Sequence, residues 1–195
     1  MILGDDPCLL DNVMKKALSS LYEELATCDW YVREHEVVNL FVSGHLLPIS
    51  GLDPRQVGIE APVLKVKTTR SEKIRARKDL VIWREPNTTL WKNCPADQRY
   101  DDEALLRYGS RPYAIIEWKN VSAISQQKWE VRRRREDDIE WLKINSKAGM
   151  MTVGYAIGID QSVRLVFRST KVVNGIATTF LGLPQARAAA TGLSD

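Results

Sequence analysis

The chain has 195 residues, of which 44% are hydrophobic and 27% are charged, as in an ordinary folded globular protein. Its 8 prolines and 11 glycines exclude a collagen-like or low-complexity chain. No stretch approaches the roughly 18 consecutive apolar residues of a membrane span, so no membrane partner is predicted. The net charge of +3 neither requires nor excludes a nucleic-acid partner. The length predicts a single domain over residues 1–183, with 1–28 as an N-terminal helical addition and 184–195 as a flexible tail.

The 3 cysteines, Cys8, Cys28 and Cys94, are odd in number, far apart and without Cys-x-x-Cys spacing. This pattern predicts free thiols in a reducing compartment rather than disulfides or a zinc site. The first residues lack the basic segment and the apolar stretch of a secretory signal, which favours a cytoplasmic location. The composition leaves open whether the protein is a monomer or a homodimer.

Two amphipathic helices are predicted in the first part of the chain. Apolar residues recur at three- and four-residue spacing between positions 9 and 25, which predicts the first helix. The second helix is predicted to begin at Asp29, an N-cap type of residue, and to run to about Ser43, where Gly44 and Pro48 end it.

Glu34 shares one face of this second helix with four apolar residues, Trp30, Val37, Val38 and Phe41. A carboxylate on such a core-facing stripe must be paired or must bind a cation, because burying it alone is costly. Glu36 lies on a different face of the same helix.

The rest of the chain alternates between strand and helix patterns. Strands are predicted at 63–68, 78–83, 112–119, 151–159, 163–169 and 172–181, and helices at 102–108 and 125–146. The run 112–119 is almost continuously apolar, so it is predicted to lie in the centre of the sheet. The order of helix, helix, three strands, helix and two or three strands predicts an α/β fold with a mixed central sheet.

Charged residues interrupt two of the apolar strands. Asp79 lies at the start of one, and Glu117 and Lys119 lie at the end of another. Residues two apart in a strand point to the same face, so Glu117 and Lys119 project together while Trp118 packs on the other face. Carboxylate oxygens are ligands that Mg²⁺ prefers, and a neighbouring ammonium can assist an attacking water and stabilise developing negative charge.

Asp79, followed 38 positions later by Glu117 within Ile115-Ile116-Glu117-Trp118-Lys119, resembles the motif of the PD-(D/E)XK nuclease superfamily. The resemblance covers residues 29–169 and implies a restriction-endonuclease-like mixed sheet flanked by helices. It implies Asp79 and Glu117 as ligands of Mg²⁺, or of Mn²⁺ as a substitute, and Lys119 as the residue that assists the nucleophile. Hydrolysis of phosphodiester bonds follows, with DNA as the substrate of most members and with 5′-phosphate and 3′-hydroxyl ends as products.

Many members of this superfamily also carry a carboxylate on the helix before the sheet. Glu34 matches that position better, and Glu36 is the fallback. The chain departs from the family pattern at Lys78, which precedes Asp79 where the family has proline. No tyrosine lies four residues after Gln126 or Gln127, so the subgroup with a Gln and a Tyr in the next helix is not supported.

Positive charge is concentrated in the segment that leads to Asp79. Residues 65–84 carry eight Lys or Arg residues and only two acids. Five of these cations have odd numbers and would line one face of regular strands, where they could bind phosphates: Lys65, Lys67, Lys73, Arg75 and Arg77. A solvated hairpin is the alternative interpretation of this segment.

Two further features permit contact with nucleic acid. The run Arg132–Arg135 is followed directly by acids, which predicts an exposed helix with internal ion pairs, with DNA contact as the alternative. Trp91 lies in a polar loop, where it either stacks on a base or anchors the loop.

Other catalytic motifs are absent from the sequence. His35 begins a His-Glu-x-x-Asn run, which lacks the second histidine of a zinc-protease helix, and no Gly-x-Ser-x-Gly or Walker A motif is present. The function predicted from the resemblance is Mg²⁺-dependent hydrolysis of nucleic acid, with DNA as substrate. The alternatives are a catalytically silent domain of the same fold that binds nucleic acid or a protein partner, and an adaptor whose charged strand ends form only surface ion pairs.

Overall fold

The computed structural model of the chain describes residues 7–27, 33–67, 73–121, 128–161 and 165–182. The helices are α1 (Pro7–Thr27), α2 (Glu34–Leu40), α3 (Leu47–Ser50), α4 (Asp102–Tyr108) and α5 (Lys128–Lys147). The strands are β1 (Val57–Leu64), β2 (Arg75–Ile82), β3 (Ala114–Val121), β4 (Val153–Asp160), β5 (Val166–Val173) and β6 (Ile176–Gly182). A π-helical segment, Phe41–Leu46, joins α2 to α3.

The six strands form one sheet in the order β1-β2-β3-β4-β5-β6. Neighbouring strands are antiparallel except β3 and β4, which run parallel. Parallel neighbours need a long crossover, and α5 supplies it between β3 and β4. The predicted α/β fold with a mixed central sheet and flanking helices is confirmed at this level.

Two core layers lie on opposite faces of the sheet, because successive strand residues point to opposite sides. In the first core layer, Ile116 and Trp118 pack with residues of α1, α2 and the π-helical segment. Trp118 lies there against Phe41, with ring centroids 5.1 Å apart. In the second core layer, Ile115 packs with residues of α4 and α5, among them Leu142.

Helix α1 is part of the first core layer rather than a peripheral addition to the domain. Five of its residues are at most 1% exposed: Leu10, Met14, Ala17, Leu18 and Leu21. No helix among the described residues has the length and the hydrophobicity to cross a membrane.

The predicted bounds of the second helix are wrong at the C-terminal end. The helical path continues past Gly44 and through Pro48, and it ends at Gly51, whose φ of 63° is left-handed. Pro48 lies within this path, directly after the point where the π-helical segment is followed by α3. The described part of the helix begins at Glu34, and the predicted start at Asp29 lies outside the described residues.

Two strands are displaced from their predicted positions. Strand β1 covers Val57–Leu64 instead of 63–68, and it contains Gly58 and Pro62, which weaken the sequence signal for a strand. Proline is accommodated because β1 lies at the edge of the sheet. Strand β5 is shifted from 163–169 to Val166–Val173. The predicted tail at 184–195 lies outside the described residues, as do the side chains of Arg132 and Arg133.

Asp11 joins α1 to the sheet. Its Oδ1 accepts a 2.6 Å hydrogen bond from the buried Tyr155 hydroxyl, and its Oδ2 forms an ion pair with Lys171. Burial, followed by the Asp11 carboxylate, raises the pKa of Tyr155 above its ordinary value, so the hydroxyl remains a neutral donor.

The substitution Asp11→Ala is expected to lower the free energy of unfolding by about 2 kcal/mol, because it leaves a buried hydroxyl and an ammonium without their acceptor. Urea denaturation followed by circular dichroism measures this loss. Glu23→Ala, at an exposed position of the same helix, is the control and should change stability by less than about 0.5 kcal/mol. Equal losses in the two variants would show that Asp11 does not anchor α1.

Candidate functional site

Lys119 is at the centre of a cluster of charged side chains on the second-layer face of β3. Its ammonium lies 3.2 Å from Asp138 Oδ2, 3.6 Å from Glu34 Oε1 and 3.9 Å from Asp79 Oδ2. Burial opposes the charged form of Lys119, but the surrounding carboxylates outweigh it and raise its pKa above the ordinary value. The structure thus brings together Asp79, Lys119 and Glu34, three of the residues predicted from sequence.

Glu117 lies two residues earlier on β3, is 4% exposed and forms an ion pair with Lys78 through Oε1. The Lys78 ammonium also lies 3.6 Å from the ring centroid of Trp141 on α5, a cation–π arrangement. Burial raises the pKa of Glu117 to about 8, although Lys78 opposes this shift. Lys78, noted in the sequence only as a departure from the family motif, is therefore the direct partner of a predicted metal ligand.

Lys78 reaches Glu117 because the side-chain alternation of β2 reverses at Asp79. In a regular strand all even-numbered residues would face the same side. In β2, however, Leu80 and Ile82 pack in the first core layer, whereas Ile74 and Ala76 pack in or against the second. Asp79 lies opposite Glu60 of β1, between two paired positions of the strands, and Glu60 has a left-handed φ of 51°. This irregular backbone turns residue 78 toward α5, where a regular strand would have turned it away.

Asp79 is held by a backbone hydrogen bond from β3. Its Oδ2 accepts the Trp118 N–H at 2.7 Å. Asp79 directly precedes Leu80, where the backbone pairing of β2 with β3 begins. The carboxylate thus replaces a backbone carbonyl in the ladder, which fixes its orientation. Among the described residues Asp79 forms an ion pair with Lys119 and none with Arg77, which lies two residues earlier on β2 and is exposed.

Glu34 shares the helix face of the buried Val37 and Val38, as predicted, but it lies at the start of α2 and is only partly buried. It begins α2 with a side chain that is 40% exposed, and it lines a cavity of about 210 Å³ together with Asp79 and Glu60. Partial burial raises the pKa of Glu34, and Lys119 opposes the shift. Glu36, the fallback, caps the helix by accepting the Arg33 N–H at 2.7 Å, whereas Glu34 lies 3.6 Å from the Lys119 ammonium.

Asp138 of α5 is the site residue that sequence reasoning missed. It is the carboxylate closest to Lys119, and burial raises its pKa while Lys119 opposes the shift. From sequence alone, the acids after Arg135 predict an exposed, ion-paired face of the helix. The spacing of Asp138 from Leu142 and Asn145, both buried, was a usable signal, because residues three and four apart share a helix face.

The donor set suits a hard divalent cation. The cluster holds four carboxylates, Glu34, Asp79, Glu117 and Asp138, against the ammonium groups of Lys78 and Lys119, and therefore carries excess negative charge when fully ionised. Mg²⁺ is commonly held by one or two carboxylates with water and substrate phosphate, and two of these carboxylates line the cavity. No group of 3 or more His, Cys, Asp or Glu side chains converges on one metal position within the described ranges.

The predicted basic face is not formed as expected. Leu64 pairs with Arg75 and Pro62 with Arg77, so odd-numbered residues of β2 lie opposite even-numbered residues of β1. The Lys65 N–H accordingly bonds to the carbonyl of the buried Ile74, and Lys65 is half-buried on the other face. The cations Lys67, Lys73, Arg75 and Arg77 are exposed and remain candidates for phosphate contact.

Trp91 is half-buried and lines a cavity of about 320 Å³ with Thr89, Lys92, Arg99 and Tyr100. This placement is compatible with either predicted role of Trp91, base stacking or loop anchoring.

Comparison of the chain with models of protein families, with curated proteins and with solved structures found no match. The chemistry of the cluster around Lys119 therefore carries the functional argument.

Proposed function

We propose that the protein is a metal-dependent nuclease of the restriction-endonuclease-like type that hydrolyses phosphodiester bonds of nucleic acid, with DNA as its substrate. The observation that carries this proposal is the Lys119 ammonium within 3.9 Å of the Asp79 carboxylate, which lines a cavity together with Glu34. The element order supports it, because three antiparallel strands lead through α5 to a strand parallel to β3.

In this proposal Asp79 and Glu34 hold Mg²⁺, or Mn²⁺ in its place, at the cavity, with Glu117 as a further ligand. The bound metal ion would polarise the phosphate and lower the pKa of a bound water. The raised pKa of Lys119 keeps it cationic at neutral pH, so it acts as a donor that orients the attacking water and stabilises charge on the phosphate. Asp138 holds the ammonium in place, and the Trp118 N–H fixes the Asp79 carboxylate.

One observation favours the alternative function, a silent domain of the same fold that binds nucleic acid or a protein partner. The Glu117 carboxylate is already occupied by Lys78 beneath Trp141, so Glu117 can contact a metal ion only after this ion pair opens. A cleavage assay separates the two functions. A nuclease and a silent domain can both bind nucleic acid, but only the nuclease cleaves it.

The test is a cleavage assay with Mg²⁺ or Mn²⁺ on linear, circular, branched and single-stranded DNA, with matched RNA. We expect metal-dependent cleavage by the wild type and a loss of at least about 100-fold in Asp79→Asn, which removes a negative charge from the cavity. Asp97→Asn, at an exposed position in a short turn, makes the same chemical change and should cleave like the wild type.

Cleavage that persists in EDTA, or that is equal in Asp79→Asn and the wild type, would reject the proposed site. Binding of nucleic acid without cleavage of any substrate, with either metal, would select the silent alternative.

A further inference from the structure

Three residues in neighbouring strands form a row across the sheet that begins at Lys119. Lys119 of β3 pairs with Gly158 of β4, and Gly158 pairs with Arg168 of β5. Directly paired residues project to the same face, and neighbouring strands lie about 4.8 Å apart. Lys119 and Arg168 therefore lie two strand spacings apart on the face that α5 covers, with no side chain between them at Gly158.

Arg135 of α5 occupies the space above Gly158. A Cβ atom on Gly158 would lie 3.0 Å from Arg135 Cδ, closer than side chains ordinarily approach, so the missing side chain admits the arginine. Arg135 Nη2 donates a 2.7 Å hydrogen bond to Thr170 Oγ1 on β5. This half-buried arginine corrects the prediction that the arginine run lies on an exposed helix face.

The two arginines are close enough to repel each other. Burial, and after it the charge of Arg168, lowers the pKa of Arg135, while Glu136 and Asp138 act in the opposite direction. Arg135 Nε is buried and has no hydrogen-bond partner among the described residues. Neither arginine takes part in an ion pair of the described part of the chain. Guanidinium groups so placed are stabilised by an anion that accepts several hydrogen bonds, and phosphate has the matching geometry.

We propose that Arg135 and Arg168 form a phosphate-binding subsite next to Lys119, which binds a backbone phosphate of the nucleic-acid strand whose neighbouring phosphodiester lies at Lys119. The subsite rests on the proposed function for the identity of its ligand. It adds to that function the position of a neighbouring phosphate, which lies on the β5 side of Lys119.

The test measures binding of a short, fluorescein-labelled single-stranded DNA by fluorescence anisotropy in EDTA, so that cleavage does not interfere. Arg168→Gln is the principal variant, because Arg168 is exposed and its replacement does not endanger the fold. We expect its affinity to fall about 5- to 10-fold and the slope of log K against log salt concentration to decrease by about one. Arg135→Gln should produce a loss of similar size.

Arg107→Gln is the matched control, since it removes one positive charge from an exposed position on α4, outside the row. Equal binding by Arg168→Gln and Arg107→Gln would overturn the subsite. So would weaker binding of adenosine 5′-monophosphate by Arg168→Gln with unchanged binding of the DNA, because the subsite would then serve a free nucleotide.

Failure of the subsite and failure of the nuclease proposal give different results. If Arg168→Gln weakens DNA binding and the wild type cleaves no substrate, the subsite is supported and the nuclease proposal fails. If cleavage depends on Asp79 while Arg168→Gln and Arg135→Gln bind DNA like the wild type, the nuclease proposal is supported and the subsite fails.

Discussion

Replacing Lys78 by methionine is expected to lower the free energy of unfolding by about 3 kcal/mol at about pH 9. In the wild type the Glu117 carboxyl is largely ionised at that pH and is paired with Lys78. Without that cation the buried carboxyl either stays an unpaired charge or takes up a proton, and both lower stability. Methionine retains most of the volume of the lysine stem beside Trp141, so the loss reports the charge rather than a cavity. Urea denaturation followed by tryptophan fluorescence measures the difference.

A double-mutant cycle isolates the interaction between the two residues. Glu117→Gln removes the buried charge, so Lys78→Met should cost far less in that background, with a coupling energy of about 2 kcal/mol or more. Lys73→Met, at an exposed position just before β2, is the control and should change stability by less than about 0.5 kcal/mol. Additive effects of Lys78→Met and Glu117→Gln would show that the ion pair does not form.

The stability of the wild type is expected to fall as the pH rises, by an amount on the order of 3 kcal/mol between about pH 5.5 and pH 8. Burial raises the pKa of Glu117 from 4.5 to about 8, so in this interval the folded protein binds more protons at this site than the unfolded chain. Stability then decreases with pH and levels off above the folded pKa. Glu34 and Asp138, whose pKa values are also raised by burial, act with the same sign.

Chemical denaturation at a series of pH values checks this prediction, with Glu117→Gln as the control. Glutamine cannot ionise, so in the variant the free energy of unfolding should depend much less on pH. An identical slope in the variant and the wild type would place the proton uptake at other groups. Asp53 does not interfere, because Arg55 lowers its pKa to about 2 and it stays ionised throughout the interval.

The central part of the site could be predicted from sequence because it depends on local rules. The alternation of residues in a nearly continuous apolar run placed Glu117 and Lys119 on one face and Trp118 on the other, and the structure confirms both placements. The partnership of Lys78 and Glu117 could not be predicted in the same way. It depends on the reversal of alternation at Asp79, opposite a glutamate in a left-handed conformation, and no residue type at these positions signals such a backbone.

The basic face failed for a related reason. The prediction assumed that odd-numbered residues of one strand pair with odd-numbered residues of the other, so that all of them share a face. In the structure odd-numbered residues of β2 pair with even-numbered residues of β1, as Arg75 does with Leu64. Register is set by the turn and by the buried face of the hairpin, so the sequence of either strand alone does not determine it. Asp138 differs from these cases, because a count of helical spacing from Leu142 would have placed it on the inner face.

The parallel pairing of β3 with β4 has a consequence for how the protein folds. Strands β1, β2 and β3 are joined by local antiparallel pairs, but β4 can join them only after α5 has crossed over the sheet. Until then the run Ala114–Trp118, apolar except for Glu117, is an open sheet edge, the kind of surface on which partly folded chains associate. Pairing of β4 after this crossover closes that edge, while α5 brings Asp138 to Lys119 and Arg135 to Gly158. The crossover that lets β4 cover the edge of β3 therefore also completes the cluster around Lys119 on its α5 side.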